Sequence, residues 1–134
     1  MSSSEKCILV VDDNAGICFL LSEVLKEEGY TVEVANNGLE AINRVSLIQP
    51  ALILLDAKMP GMSGFQVLHE LNRINSEIPV VMMSAYTELP DVQEAKKNGH
   101  IQYYVNKPFD FDELKELINS IVRNKNVTTN DSTN

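Results

Sequence analysis

Cysteine, aromatic residues, positive charge and long apolar runs are all scarce in this sequence of 134 residues. Its two cysteines, Cys7 in a strand-like run and Cys18 in a helix-like one, are too few for a disulfide framework or a zinc site and read as buried thiols. Lys plus Arg number 11 against 19 Asp plus Glu, a formal net charge of −8, so DNA or RNA would meet net repulsion and no nucleic-acid partner is expected. Apolar runs such as Cys7 to Val11 and Ala51 to Leu55 are far too short to span a bilayer. Met1 to Lys6 is polar, with no apolar signal segment behind it. No membrane association and a cytoplasmic location are therefore expected. A Gly-rich phosphate loop ending in Lys-Ser or Lys-Thr is also missing, which excludes that kind of nucleotide switch.

What remains is 44% hydrophobic, enough for one domain that buries roughly two-thirds of its unfolded surface. Short apolar runs alternate with helix-period segments. The runs are 7–11, 31–35, 51–55, 79–83 and 101–105. The first, third and fourth are continuously apolar, as strands covered on both faces of a parallel sheet must be, whereas Thr31-Val-Glu-Val-Ala35 alternates and suits an edge. Between the runs, Ile17, Leu20, Leu21, Val24 and Leu25 form an inward helical stripe that Gly29 ends. Ala41, Ile42, Val45 and Ile48 form a second, Phe65, Leu68 and Leu71 a third, and Phe111, Leu114, Ile118, Ile121 and Val122 a fifth. The fourth helix, Glu88 to Asn98, has only Leu89, Val92 and Ala95. Five strand-helix units predict an α/β fold, a parallel sheet with right-handed crossovers and helices on both faces. The domain is expected over 1–124, and the polar segment from Asn124 to Asn134, 125–134 in particular, reads as a mobile, disordered tail.

The polar residues at the strand ends carry the functional information. Asp12 and Asp13 follow the first run, Asp56 the third and Ser84 the fourth, and Lys107 stands two residues past the fifth. Ligands of open α/β sheets bind outside the carboxyl ends of the strands. If those strands are neighbours, three carboxylates share one cleft. Like charges about 4 Å apart repel by roughly 4 kcal/mol at an effective dielectric of 20, so such a cluster calls for a cation or raised pKa values. Mg²⁺ suits hard oxygen ligands and keeps waters that a phosphate can displace. An aspartate nucleophile, a metal, a lysine and a hydroxyl together can move a phosphoryl group onto a carboxylate. Any one of these residues alone could be a helix cap. All five together are poorly explained that way.

Four segments, Leu9-Val-Val-Asp12-Asp13-Asn14, Leu54-Leu-Asp56-Ala-Lys-Met-Pro60-Gly61-Met-Ser-Gly64-Phe65, Met83-Ser84-Ala85-Tyr86 and Asn106-Lys107-Pro108-Phe109, resemble the signature blocks of bacterial response-regulator receiver domains. The resemblance runs from about Lys6 to Arg123. It implies the five-stranded flavodoxin-like sheet in the order 2-1-3-4-5 flanked by five helices, the order known for the chemotaxis receiver. It further implies that Asp56 is the phosphoacceptor, that Asp13 and Asp56 ligate Mg²⁺ directly, that Asp12 acts through water, and that Lys58 offers its backbone carbonyl. Ser84 would bond a phosphoryl oxygen and Lys107 would pair with the phosphoryl group. The Lys107–Pro108 bond would be cis. Ser63 and His100 depart from the residues common in the family, and the stretch from Gly99 to Lys107 is one residue longer than the family pattern. A narrower likeness, to stand-alone receivers of sporulation-type phosphorelays, rests on Gly16-Ile17, Glu27-Glu28-Gly29-Tyr30, Lys58, Ala85-Tyr86-Thr-Glu-Leu and Lys107-Pro108-Phe109-Asp110.

That likeness implies a monomeric phosphotransferase-type intermediate that takes a phosphoryl group from a sensor histidine kinase and passes it to a histidine phosphotransferase. A receiver that acts by switched binding, as in chemotaxis, is the alternative. An aspartate-nucleophile phosphatase is disfavoured, because Lys58 stands where such enzymes carry a second Asp and the length leaves no room for a cap domain. Ser84 and Tyr104 are the expected switch pair. Lys58 and Tyr86 are long side chains placed to shield a phosphoryl group from water. Asn14, Ala15 and Gly16 are small, and Ile17, Cys18 and Phe19 carry more apolar surface than one inward stripe absorbs, so this segment is the expected partner-docking surface. His69 and His100 lack partners at metal spacing and read as surface or loop residues.

Overall fold

The computed structural model describes residues 6–74 and 77–131, except the side chains of Tyr86 and of residues 124–131. Five parallel strands, β1 (Cys7–Val11), β2 (Thr31–Ala35), β3 (Leu52–Asp56), β4 (Val80–Ser84) and β5 (Tyr103–Asn106), pair in the order β2-β1-β3-β4-β5. Helices α1 (Ala15–Glu27), α2 (Gly38–Ile48), α3 (Gly64–Ile74), α4 (Leu89–Lys97) and α5 (Phe111–Asp131) connect and follow them. A 3-10 turn over Tyr86–Glu88 leads into α4. The alternating β2 is an edge strand, as its pattern predicts, and the continuously apolar β1, β3 and β4 are buried along their whole length.

A buried parallel strand must present apolar side chains to both faces, and the core divides accordingly. Leu9, Val11, Ile53 and Leu55 pack with Val45 of α2, Val67, Leu68 and Leu71 of α3, and Val92 of α4. Ile8, Val10, Leu52 and Leu54 pack on the other face with Leu21 and Leu25 of α1 and Leu114 and Ile118 of α5. Truncating one of these fully buried leucines to alanine costs about 2–5 kcal/mol. The two-sided core locks the strands in register and so holds their carboxyl ends at one level.

Four differences from the sequence pattern stand out. Strands β3 and β4 begin and end one residue later than their apolar runs, so Asp56 and Ser84 are the last strand residues rather than the first after it. β5 is also later, over Tyr103–Asn106, consistent with the long stretch that precedes it. In α1 the inward stripe is Cys18, Leu21 and Leu25, with Ile17 packed at its edge, whereas Leu20 is 48% exposed. One residue is 100° of helix turn, and centring the stripe on Leu21 swings Leu20 outward. Finally, the expected tail at 125–134 is helical in its backbone as far as Asp131. Extending a helix already formed adds one hydrogen bond per residue fixed and needs no apolar stripe. Residues 132–134 lie outside the described residues.

Close packing reaches the strand ends through Gly64, the first residue of α3. A Cβ there would stand 2.1 Å from the Asp56 carbonyl oxygen and 2.8 Å from Ala57 Cα. Only hydrogen fits, and the Gly64 amide uses the closeness to donate to the Ala57 carbonyl at 3.0 Å. Gly64→Ala is expected to lower stability by about 1–3 kcal/mol, the usual cost of overpacking, as read from the urea midpoint. A midpoint unchanged from the parent would show that the backbone gives way freely.

Candidate functional site

β1, β3 and β4 are adjacent, so their carboxyl ends bring Asp12, Asp13, Asp56 and Ser84 to one edge of the sheet. One carboxylate oxygen from each of Asp12, Asp13 and Asp56 lies within 4.8 Å of the others. Among the described residues this is the one cluster of three or more His, Cys, Asp or Glu side chains close enough to share an ion. Asp12 and Asp56 are buried and Asp13 is exposed, so the cluster is open on one side. Three hard oxygen donors around an open position suit a divalent cation such as Mg²⁺.

Lys107 supplies the neighbouring positive charge. Its Nζ lies 3.2 Å from Asp12 Oδ2 and 3.1 Å from Asp56 Oδ1. Burial alone would depress the Lys107 ammonium, but hydrogen bonding and attraction from Asp56 and Asp12 hold its pKa above the usual value. Asp56 is pushed up to about 6, first by burial and then by repulsion from Asp12, with Lys107 opposing both. A single ammonium thus offsets only part of the carboxylate repulsion. The loop that carries Lys107 is tied down by its amide, which donates to the Ser84 carbonyl at 2.8 Å, and the Lys107–Pro108 peptide is cis. The Ser84 hydroxyl is fully buried and, among the described residues, is the one buried side-chain polar atom without a hydrogen-bond partner. Buried hydroxyls are normally satisfied, so this donor at the end of β4 is suited to an incoming oxygen.

The other predicted residues spread around this centre. Lys58 is exposed and its amide lies 3.4 Å from Asp56 Oδ1. Tyr104 is partly buried against the α2–α4 side of the core, with Lys96 Nζ 5.5 Å from its ring centroid. The Tyr86 side chain lies outside the described residues. In the expected docking segment Asn14 caps α1, its Oδ1 accepting from the Ile17 amide at 3.0 Å. Asn14, Ala15 and Gly16 are exposed and Phe19 is 63% exposed, so these residues are open to solvent. Cys18 is not: it is buried, and its thiol donates to the Asp12 carbonyl at 3.3 Å. Burial, and then the nearby Asp12 and Asp13, push that thiol up to about 11, so it is inert packing beneath the site rather than contact surface.

Glu88 was absent from the sequence candidates. Its carboxylate reaches back to accept from the Ala85 amide at 2.7 Å and from the Thr87 hydroxyl at 2.6 Å. The signal was the three-residue spacing from Ala85 ahead of a helix, half of a capping box.

The model of the response regulator receiver domain matches residues 8–119. The chain belongs to the response regulator receiver family. This receiver is 44% identical over 111 residues to sporulation initiation phosphotransferase F of Bacillus subtilis strain 168, covering 83% of this chain and 89% of that protein. It is 41% identical over 115 residues to the transcriptional regulatory protein ZraR of Klebsiella oxytoca, covering 86% of this chain but only 26% of that longer protein. Among solved structures, a receiver domain from Clostridium thermocellum superposes with a TM-score of 0.84 at 26% identity, covering 91% of this chain and 98% of that one. The response regulator TrrA of Thermotoga maritima, solved with Mg²⁺ and BeF, gives a TM-score of 0.77 at 37% identity over 87% of this chain and 98% of that one. Among the described residues of this receiver, no helix is long and apolar enough to cross a membrane.

The raised Asp56 pKa makes stability fall as pH rises. An unfolded Asp titrates near 3.9. Between about 4 and 6 the folded state therefore binds more protons than the unfolded one, and ionising Asp56 near pH 6 costs stability. In metal-free buffer Asp56→Asn is expected to raise stability at pH 7.5 by an amount on the order of 1–3 kcal/mol, with the gain shrinking below about pH 5. Denaturation midpoints at the two pH values check this, and a gain independent of pH would refute the electrostatic cause.

Proposed function

We propose that this receiver accepts a phosphoryl group on Asp56 from a phosphohistidine of a sensor kinase and hands it to the histidine of a downstream phosphotransferase, as the intermediate of a sporulation-type phosphorelay. The observation that carries the reading is the Asp56 carboxylate, placed at a strand end against Lys107, two further carboxylates and the unpartnered Ser84 hydroxyl. The likeness to sporulation initiation phosphotransferase F over 89% of that protein supports the relay role. The Mg²⁺ and BeF bound by TrrA support a metal-assisted site.

In this reading Asp13 and Asp56 would hold Mg²⁺ directly, Asp12 would hold it through water and Lys58 through its backbone carbonyl. When bound, Mg²⁺ neutralises phosphoryl oxygens and the crowded carboxylates. An oxygen of ionised Asp56 attacks phosphorus. The O–P bond forms as the P–N bond to the donor imidazole breaks, the imidazole leaving as the neutral base once protonated. Lys107 turns from the carboxylates to the new phosphoryl oxygens, and the Ser84 hydroxyl donates to another. The reverse attack by an acceptor histidine passes the group on. Ser84 and Tyr104 form the switch pair, and Lys58 and Tyr86 shield the acyl phosphate from water.

Partner access is proposed along the start of α1, where Asn14, Ala15, Gly16 and Phe19 are exposed next to the site and Ile17 flanks them. Exposed apolar surface beside an acidic cleft fits the apolar groove of a helical histidine protein. Cys18 supports this surface from beneath.

Two experiments test the reading. Asp56→Asn is expected to abolish Mg²⁺-dependent labelling by a small acyl phosphate; labelling at a comparable rate would exclude Asp56 as acceptor. Phosphorylated protein mixed with a histidine phosphotransferase is expected to transfer label, and Gly16→Arg is expected to lower the ratio of histidine-protein exchange to acyl-phosphate labelling by about tenfold or more, a loss of about 1.4 kcal/mol of docking. Label that never leaves Asp56 would favour the switched-binding alternative.

A further inference from the structure

Glu88 spends its charge in an unusual place. It occupies the N-cap position of α4 yet makes no side-chain bond to that helix. Instead, one carboxylate oxygen accepts from the Ala85 amide at 2.7 Å and the other from the Thr87 hydroxyl at 2.6 Å. Ala85 directly follows Ser84, whose buried hydroxyl has no partner among the described residues. The β4–α4 loop therefore presents two donors in succession at the carboxyl end of β4, one empty and one already held by an anion of the chain itself. Lys58 and Lys107 also act on the Glu88 carboxylate, which is held below its usual pKa chiefly by the Thr87 hydroxyl and further by the Ala85 amide and these two lysines. Lys107 is the same ammonium that lies 3.1 Å from Asp56.

Glu88 thus holds the amide next to the Ser84 hydroxyl at the carboxyl end of β4, and Asp56 ends the neighbouring strand β3 at the same edge of the sheet. A phosphoryl group on Asp56 would bring close to two further negative charges to that edge. Like charges in a partly buried site repel, and the anion on the less constrained segment is the one that moves. Asp56 is covalently fixed in β3, whereas Glu88 sits on a short turn and is only half-buried.

We propose that Glu88 is an intramolecular anion that holds the Ala85 amide in the unphosphorylated protein and is expelled when Asp56 is loaded, so that this residue sets the threshold for loading and couples it to the start of α4. The inference rests on Asp56 being the phosphoacceptor and adds a residue to that reading. Once expelled, the carboxylate no longer pins the 3-10 turn that leads into α4 to the Ala85 amide. Loading would then release the residue that stands at the start of α4. Alternatives to an active role are weighed by charge: half of a capping box stabilises the loop equally well with a neutral acceptor, whereas a competitor for anions requires the negative charge.

Glu88→Gln and Glu88→Ala separate these roles, because Gln keeps an acceptor for the Ala85 amide and loses only the charge. The probe is beryllofluoride with Mg²⁺ added to the full chain, followed by amide NMR, with acyl-phosphate labelling run in parallel. In the free parent protein the Ala85 amide proton is expected at low field, and Glu88→Ala is expected to move it upfield before any ligand is added. Beryllofluoride is expected to bind Glu88→Gln about fivefold more tightly than the parent, the size of effect that removing one nearby like charge produces. On loading, the Glu88 side-chain carboxyl carbon of the parent should shift together with the Ala85 amide. Parent and Glu88→Gln affinities equal within about twofold, with labelling of both intact, would overturn the role of Glu88 while leaving Asp56 as acceptor. A parent protein that takes up neither label nor beryllofluoride would overturn both.

Discussion

The crowding of Asp12, Asp13 and Asp56 around the single ammonium of Lys107 is the constraint on which the rest of the site depends. Left to itself the chain would relieve that repulsion by moving the loops apart. It is prevented by the two-sided packing of β1 and β3, which fixes both strand ends, and by Gly64, whose missing side chain lets α3 close down on the Asp56 carbonyl. Hydrophobic burial elsewhere thus sustains an unfavourable charge arrangement here, and burial, followed by repulsion from Asp12, raises the Asp56 pKa.

The same arrangement explains why the site suits both a divalent cation and a phosphoryl group. Either one would replace a repulsion with an attraction: the cation at the carboxylates and, in the proposed reading, the phosphoryl oxygens at Lys107 and at the Ser84 hydroxyl. The unpartnered hydroxyl is the geometric counterpart of the unbalanced charge. Both leave the resting site short of a partner that an incoming group can supply. In the proposed reading the β4–α4 loop carries that local event toward α4, whose apolar contact is made through Val92 and Ala95, whereas α5 is held through Leu114, Ile118 and Ile121.

The fold and the centre of the site were legible in the sequence because each is written in a simple alternation. Continuous apolar runs mark strands covered on both faces, and a polar residue that ends such a run, as Asp12 and Asp56 do, stands at the sheet edge where ligands bind. The orientation of α1 was less legible, since Ile17, Cys18, Leu20 and Leu21 are all apolar and a rotation of one residue decides which are covered; Cys18 took the inward place assigned to Leu20. The continuation of α5 to Asp131 had no apolar signature to announce it. Glu88 was hidden for another reason: its partner is a backbone amide, which every residue carries, so only its three-residue spacing from Ala85 sets it apart from a solvated helix acid.

The most direct test of the central claim is to find where the phosphoryl group sits. Protein labelled by a small acyl phosphate with Mg²⁺ can be reduced with borohydride, which converts an aspartyl phosphate to homoserine, and digested for peptide mass mapping. Homoserine at position 56 alone is the expected result. Homoserine at position 12 or 13, or a stable phosphate on a serine, threonine or histidine with none at 56, would contradict it.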